Sequence, residues 1–256
     1  MEQLRAPESG CPWDIKQTYK TILPYTIEEV YEVADAIERD DIDSLKDELG
    51  DLLFHVVFYA QLAKEDDFFE LKDIVSAICE KLERRHPHVF SDKSISSEDE
   101  IHKAWEQQKH KERQEKQNNR LASLLDDIPK QLPELKRAQK IQKRVGKQGF
   151  DWKNLDQVWN KFEEELDEIK GAVKQGSQEA IQDEMGDLLF VCVNLARHLE
   201  VDADMALRHA NQKFEQRFRL LEKIAKEPIE NFTIEELEGF WMQAKEKLNS
   251  KTRESE

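Results

Sequence analysis

Carboxylates recur in this chain of 256 residues at spacings that a helix turns into clusters. Glu165 and Glu168 lie three apart, as do Glu184 and Asp187, and residues three apart share one helix face. On two antiparallel neighbouring helices the four acids face one another. Such crowding of like charge is unfavourable unless a cation sits among them, and an all-oxygen donor set suits Mg²⁺ or Mn²⁺ better than Zn²⁺ or copper. Lys161, four before Glu165, falls on the acid face, with ordinary pairing to Glu as its plainer role. Asn194, seven after Asp187, lies two turns along the second helix, where it could hydrogen-bond a sugar or phosphate or serve as a core residue bonded to backbone.

The same acids occur twice. Thirty residues from Glu28 align without a gap on thirty from Glu164, an offset of 136 with twelve identities. Glu28, Glu29, Glu32, Glu48 and Asp51 return as Glu164, Glu165, Glu168, Glu184 and Asp187, while apolar neighbours are exchanged for one another. A repeat kept for packing alone would preserve the apolar stripe and let the surface drift. Acids are common on exposed helix faces, and Glu29 has a structural explanation as capping-box partner of Thr26. That explanation fails in the second copy, where Phe162 stands three before Glu165. Two divalent-metal sites are expected, one of Glu165, Glu168, Glu184 and Asp187 and a weaker one of Glu29, Glu32, Glu48 and Asp51.

Charged residues make up 37% of the chain, Gly and Pro number only 8 and 7, and no run of alternating β-branched residues stands out, so an all-α fold follows. A formal charge of -16 opposes nucleic-acid and anionic-membrane partners, although a local basic cluster could still hold one phosphorylated ligand. The apolar stretches are too short to span a membrane and the N-terminus has no signal-peptide pattern, which points to the cytoplasm. Cys11, Cys79 and Cys192 lie far apart, suggesting neither a disulfide framework nor a zinc knuckle, and are expected as buried small apolar residues. The Gly-rich phosphate cradle and the nucleophile elbow are both missing, which removes the common NTPase and hydrolase classes.

The repeat organises the chain as two tandem four-helix-type domains, 1–118 and 132–256, with a linker at 119–131. In the first, helices are expected at about 26–39, opened by Thr26 and Glu29, and at 44–64, with Leu45, Leu49, Leu52, Leu53, Val56, Val57 and Ala60 as its buried face. A third at 71–85 stops before Pro87, and a charged fourth, opened by Ser97 and Glu100, carries Trp105 and Lys109. The second half repeats the plan at about 157–174, 178–199 and 203–226, and Thr233 with Glu236 opens a last helix on which Trp241 answers Trp105. Between the second and third helices the offset falls to 132, placing Lys81 on Lys213 and Arg85 on Arg217, as a loop four residues shorter would do.

The doubled Glu-x-x-Glu and Glu-x-x-Asp pairs closed by Gly-Asp-Leu-Leu-Phe resemble the MazG family of nucleoside triphosphate pyrophosphohydrolases. So do the Cys-Pro-Trp-Asp segment at 11–14, Arg-Arg-His-Pro-His-Val-Phe at 84–90 and Asn-Leu-Ala-Arg-His-Leu at 194–199, and the resemblance spans almost the whole chain. It implies hydrolysis of the α–β phosphoanhydride of a nucleoside triphosphate to monophosphate and pyrophosphate, dependent on Mg²⁺ and broad in base specificity. Carboxylate-held Mg²⁺ can bridge phosphate oxygens, offset transition-state charge and acidify an attacking water. Glu164 or Glu165 would accept that water's proton. The resemblance further implies phosphate contacts from Lys213 and Arg217, base stacking by Trp241, and by analogy a nucleotide contact from Lys109. It also implies a homodimer, and since the family usually has a further helix ahead of the Leu-Arg that stands here at 4 and 5, the chain looks short at its start.

The halves are not equal. Phe58 answers Asn194 and Cys79 answers Asn211, so the second half is expected to carry most turnover and the first to be weak or structural. Rival readings are a narrower phosphohydrolase for deoxyuridine or modified nucleotides on the same site, and a non-catalytic acidic helical interaction module. A di-iron carboxylate bundle needs Glu-x-x-His twice, and Glu83 to His86 is answered by Glu215 to Phe218.

Overall fold

The computed structural model describes residues 1–91, 97, 100, 101, 104, 105, 108, 111, 112 and 123–254, with side chains to residue 250. Among these residues every regular element is helical, and the all-α expectation is borne out. The chain divides into two compact units, Met1–Asn119 and Arg120–Glu256.

In the first unit a short helix, α1 (Pro12–Lys16), precedes α2 (Tyr19–Glu38), α3 (Ile42–Glu65), α4 (Leu71–Arg85) and the single turn α5 (Pro87–Phe90). The start of α2 corrects the expected Thr26 boundary. Thr18 and Thr21 form the capping box, each hydroxyl accepting the other's backbone N–H at 3.3 and 2.8 Å. Pro24 sits inside the second turn, and the one hydrogen bond it forfeits does not end the helix. Thr26 is therefore mid-helix: its hydroxyl donates to the Ile22 carbonyl and lies 2.8 Å from the Tyr59 hydroxyl of α3. Glu29 thus loses its capping explanation.

Asp41 caps α3 through the Ser44 N–H after only three connecting residues, which forces α2 and α3 into an antiparallel pair. Ile22, Phe58 and Leu62 form the core between them. The buried face of α3 differs from the expected one. His55, Phe58, Ala60, Leu62 and Ala63 are buried, whereas Leu49 and Leu53 are 49% and 60% exposed, because a two-helix hairpin covers only one side of each helix. Glu100 donates its N–H to Ser97 Oγ at 3.3 Å, and the described residues from 100 to 112 are helical.

The second unit contains α6 (Glu134–Gly146), α7 (Leu155–Gln175), α8 (Gln178–His198), α9 (Ala203–Ala225) and α10 (Ile234–Glu254). Helix α6 is absent from the sequence reading. Its Gln142 is 2% exposed and donates to the Phe190 carbonyl of α8 at 2.7 Å. Arg144 reaches back to the Leu124 carbonyl and to Asp127, and Ile128 is buried beside them. Asn154 caps α7, Gly176 ends it in the left-handed conformation at φ 72°, and Ser177 caps α8. Two residues thus reverse the chain. The Thr233–Glu236 capping box stands as expected.

The fall in offset from 136 to 132 also has a different origin from the loop expected. Helix α8 has 21 residues where α3 has 24, so most of the deletion is helical. The cysteines depart from expectation too: Cys79 and Cys192 are exposed and Cys11 is half-buried.

Candidate metal centre

In the second unit Glu165 from α7 and Glu184 and Asp187 from α8 each bring one carboxylate oxygen within 4.8 Å of the others. The short Gly176-Ser177 reversal fixes the register that sets these side chains opposite one another. Glu165 is only 4% exposed, and its Oε2 has no hydrogen-bond partner. A buried carboxylate oxygen without a donor is costly, and the three convergent oxygens are the hard ligands that Mg²⁺ or Mn²⁺ requires. These residues fit such an ion. Glu168 is not one of the three, but it feels them: burial first, then the charge of Glu165, outweighs Lys161 and raises its carboxyl above the ordinary range, with Glu184 and Glu164 adding to the effect.

Lys161 lies where its spacing placed it. Its Nζ bonds Glu164 at 2.6 Å and Glu165 at 2.7 Å, and the Glu164 bond first, then that to Glu165, raises its pKa. Asn194 is buried, and its partner is a side chain where a core residue bonded to backbone was the alternative expected. Its Oδ1 accepts from Arg197 Nε at 3.1 Å and Nη2 at 2.6 Å, and Arg197 Nη2 also meets Asp151 at 2.5 Å. His198 stands 3.1 Å from the same Asp151 oxygen. The signal was present as Asn-x-x-Arg-His, an i, i+3 pair inside a quoted segment, and its charge partner Asp151 lay too far along the chain to suggest itself.

Arg217 on α9 stacks 6.0 Å from the Trp241 ring centroid, and Phe214 packs on the same ring at 5.2 Å. Lys213 is exposed on that helix. Helix α9 packs chiefly on α10, and among the described residues Lys213 and Arg217 form no ion pair with the acids. Lys109 lies outside the described residues.

The first unit repeats the triad with Glu29, Glu48 and Asp51, again within 4.8 Å. Tyr25 stands where Lys161 stands in the second, so among the described residues that position brings no positive charge to the acids. Burial first, then Glu32, Asp51, Glu48 and Glu28, raises the Glu29 carboxyl, and burial with Glu32 does the same to Glu48. Glu32 thus belongs to the cluster electrostatically without joining the triad.

Both triads lie within segments 17–90 and 155–219, which match the MazG nucleotide pyrophosphohydrolase domain. The chain belongs to the MazG family. It is 53% identical over 250 residues to the nucleoside triphosphate pyrophosphohydrolase of Escherichia coli, covering 96% of this chain and 94% of that one. It is 43% identical over 248 residues to the nucleoside triphosphate pyrophosphohydrolase/pyrophosphatase MazG of Thermotoga maritima, covering 96% and 92%. As a MazG-family chain it thus spans nearly the whole of these relatives, with both acid clusters inside the matched segments.

Proposed function

We propose that the second unit hydrolyses nucleoside triphosphates at the α–β bond, releasing pyrophosphate and the monophosphate, with Mg²⁺ or Mn²⁺ held by Glu165, Glu184 and Asp187. The observation that carries this reading is the buried, partnerless Glu165 oxygen inside a convergent triad, in a chain of the MazG family. A divalent ion held there supplies charge neutralisation at the phosphates and polarises water.

The chain's own residues do the rest. Lys161, already at the triad's edge, exchanges a carboxylate for a phosphate oxygen when triphosphate arrives. Glu164, exposed and adjacent to the triad, accepts the proton of the attacking water. Lys213 and Arg217 bind phosphate oxygens, and Trp241 offers its ring to the base, a contact that tolerates any base. Asn194 is tied through its Oδ1 to Arg197, and its amide N–H groups are the donors it would offer a sugar or phosphate oxygen. The first unit keeps the acids and serves chiefly as structure.

Product analysis with ATP, dATP and dUTP in Mg²⁺ tests the reading. Pyrophosphate from all three is expected. Orthophosphate as first product would remove the proposed bond, and release from one nucleotide alone would replace broad specificity with a narrow one.

A further inference from the structure

Arg85 and Arg217 occupy the same place in the repeat, as do Trp105 and Trp241, yet their surroundings differ. Arg217 lies over Trp241 with no ion pair among the described residues. Arg85 is clamped: its Nη2 and Nε bond both oxygens of Glu112, at 2.5 and 3.3 Å, and Arg84 Nε adds a third contact at 2.9 Å. Gln108 reaches the same carboxylate at 3.4 Å. Trp105 is also engaged, donating its indole N–H to the Arg85 carbonyl at 2.7 Å and packing edge-on against His86 at 5.0 Å. Seven residues after Trp105 stands Glu112; seven after Trp241 stands Leu248, which has no carboxylate to offer.

We infer that the first unit retains a phosphate site of its own, formed by Arg84 and Arg85, and that Glu112 keeps it closed by occupying it. A carboxylate presents two oxygens to a guanidinium in the same fork that a phosphate does, so Glu112 is an internal stand-in for the anion. Its side chain is only 14% exposed, so an incoming phosphate has to displace it. The bond to Arg85 outweighs burial and, with Arg84, holds its carboxyl down at about 2, so the clamp stays charged at any physiological pH. The ligand class is an inorganic or nucleotide polyphosphate. Both halves keep the acids, and the clamp is what the first has and the described residues of the second do not. This rests on reading Arg217 as a phosphate contact.

The test uses the full chain carrying Asp187→Ala, so that the second unit does not turn over, and inorganic tripolyphosphate with Mg²⁺ as probe. Adding Glu112→Leu should tighten tripolyphosphate binding by calorimetry at least about tenfold, the worth of one freed charge-assisted contact. Adding Arg85→Ala on top should abolish the gain. Unchanged affinity in a folded Glu112→Leu protein overturns the inference, as does a gain that survives Arg85→Ala. Should Glu112→Leu fail to fold, Glu112→Gln, which keeps one acceptor oxygen, drops the charge and turns the other oxygen into a donor, decides by the same criterion with a smaller gain. Pyrophosphate release by the unaltered chain separately tests the proposed activity, so a failure of one does not mask the other.

Discussion

Glu165 and Glu29 occupy equivalent positions, and the residue four before each sets how they live without a metal. Lys161 bonds Glu165, whereas Tyr25 offers Glu29 no charge. Asp187→Ala or Glu184→Ala should lower pyrophosphate release at least about a hundredfold, a loss of the order seen when one group stabilising developing charge is removed. Glu48→Ala and Asp51→Ala should leave most of it, and the opposite pattern in a steady-state assay would exchange the roles of the units. The acids also predict a pH dependence. Glu29, Glu48 and Glu168 titrate above the usual 4.5 in the folded chain, so the fold takes up protons there that the unfolded chain does not. Stability of the metal-free protein accordingly falls as pH rises through that window. Mg²⁺ needs the ionised forms, so the rise in melting temperature on adding it should grow as pH climbs from 4.5 towards neutrality. A Mg²⁺ effect flat in pH would contradict the site.

At the scale of helices, Gly50 and Gly186 immediately precede the triad aspartates, are exposed, and have nothing within 4 Å of where a Cβ would stand. Glycine inside a helix costs about 0.5–1 kcal/mol relative to alanine. The open side beside Asp187 leaves room for a nucleotide or a second chain against that helix face. Gly186→Ala should raise the melting temperature while lowering kcat/KM; unchanged kinetics would mean that no nucleotide or neighbour enters that space. The acid hairpins were legible because spacing three apart and an apolar period translate directly into faces, and α4, α8 and α9 begin where their patterns begin. Helix α2 was read short because Thr26 and Glu29 have the spacing of a capping box, whereas Thr18 and Thr21 supply the cap. Helix α6 was missed although Leu135, Ala138, Ile141 and Val145 recur at helical spacing, because Lys, Arg and Gln outnumber them and its one fully buried side chain is the polar Gln142. Arg197 and Glu112 were missed for a common reason: each acts through an ion pair between distant residues, which no local period records.

On the scale of the molecule, the two units leave equivalent apolar strips bare. Leu49, Leu53 and Phe54 are 49%, 60% and 38% exposed, and their counterparts Met185, Leu189 and Phe190 are 43%, 51% and 41% exposed. Strips of this kind call for a covering surface, and a homodimer is the reading proposed here. Light scattering should return twice the chain mass, and Leu53→Glu with Leu189→Glu should halve it; a monomeric unaltered chain would end that reading. The tyrosine at position 25 has one more consequence. Deprived of magnesium by a chelator, the lysine-bearing copy still holds a resident positive charge against its acids, while the other copy holds none among the described residues. Amide hydrogen exchange should then quicken first along the hairpin of residues 19–65, so the half that turns over little would be the one that senses ion scarcity.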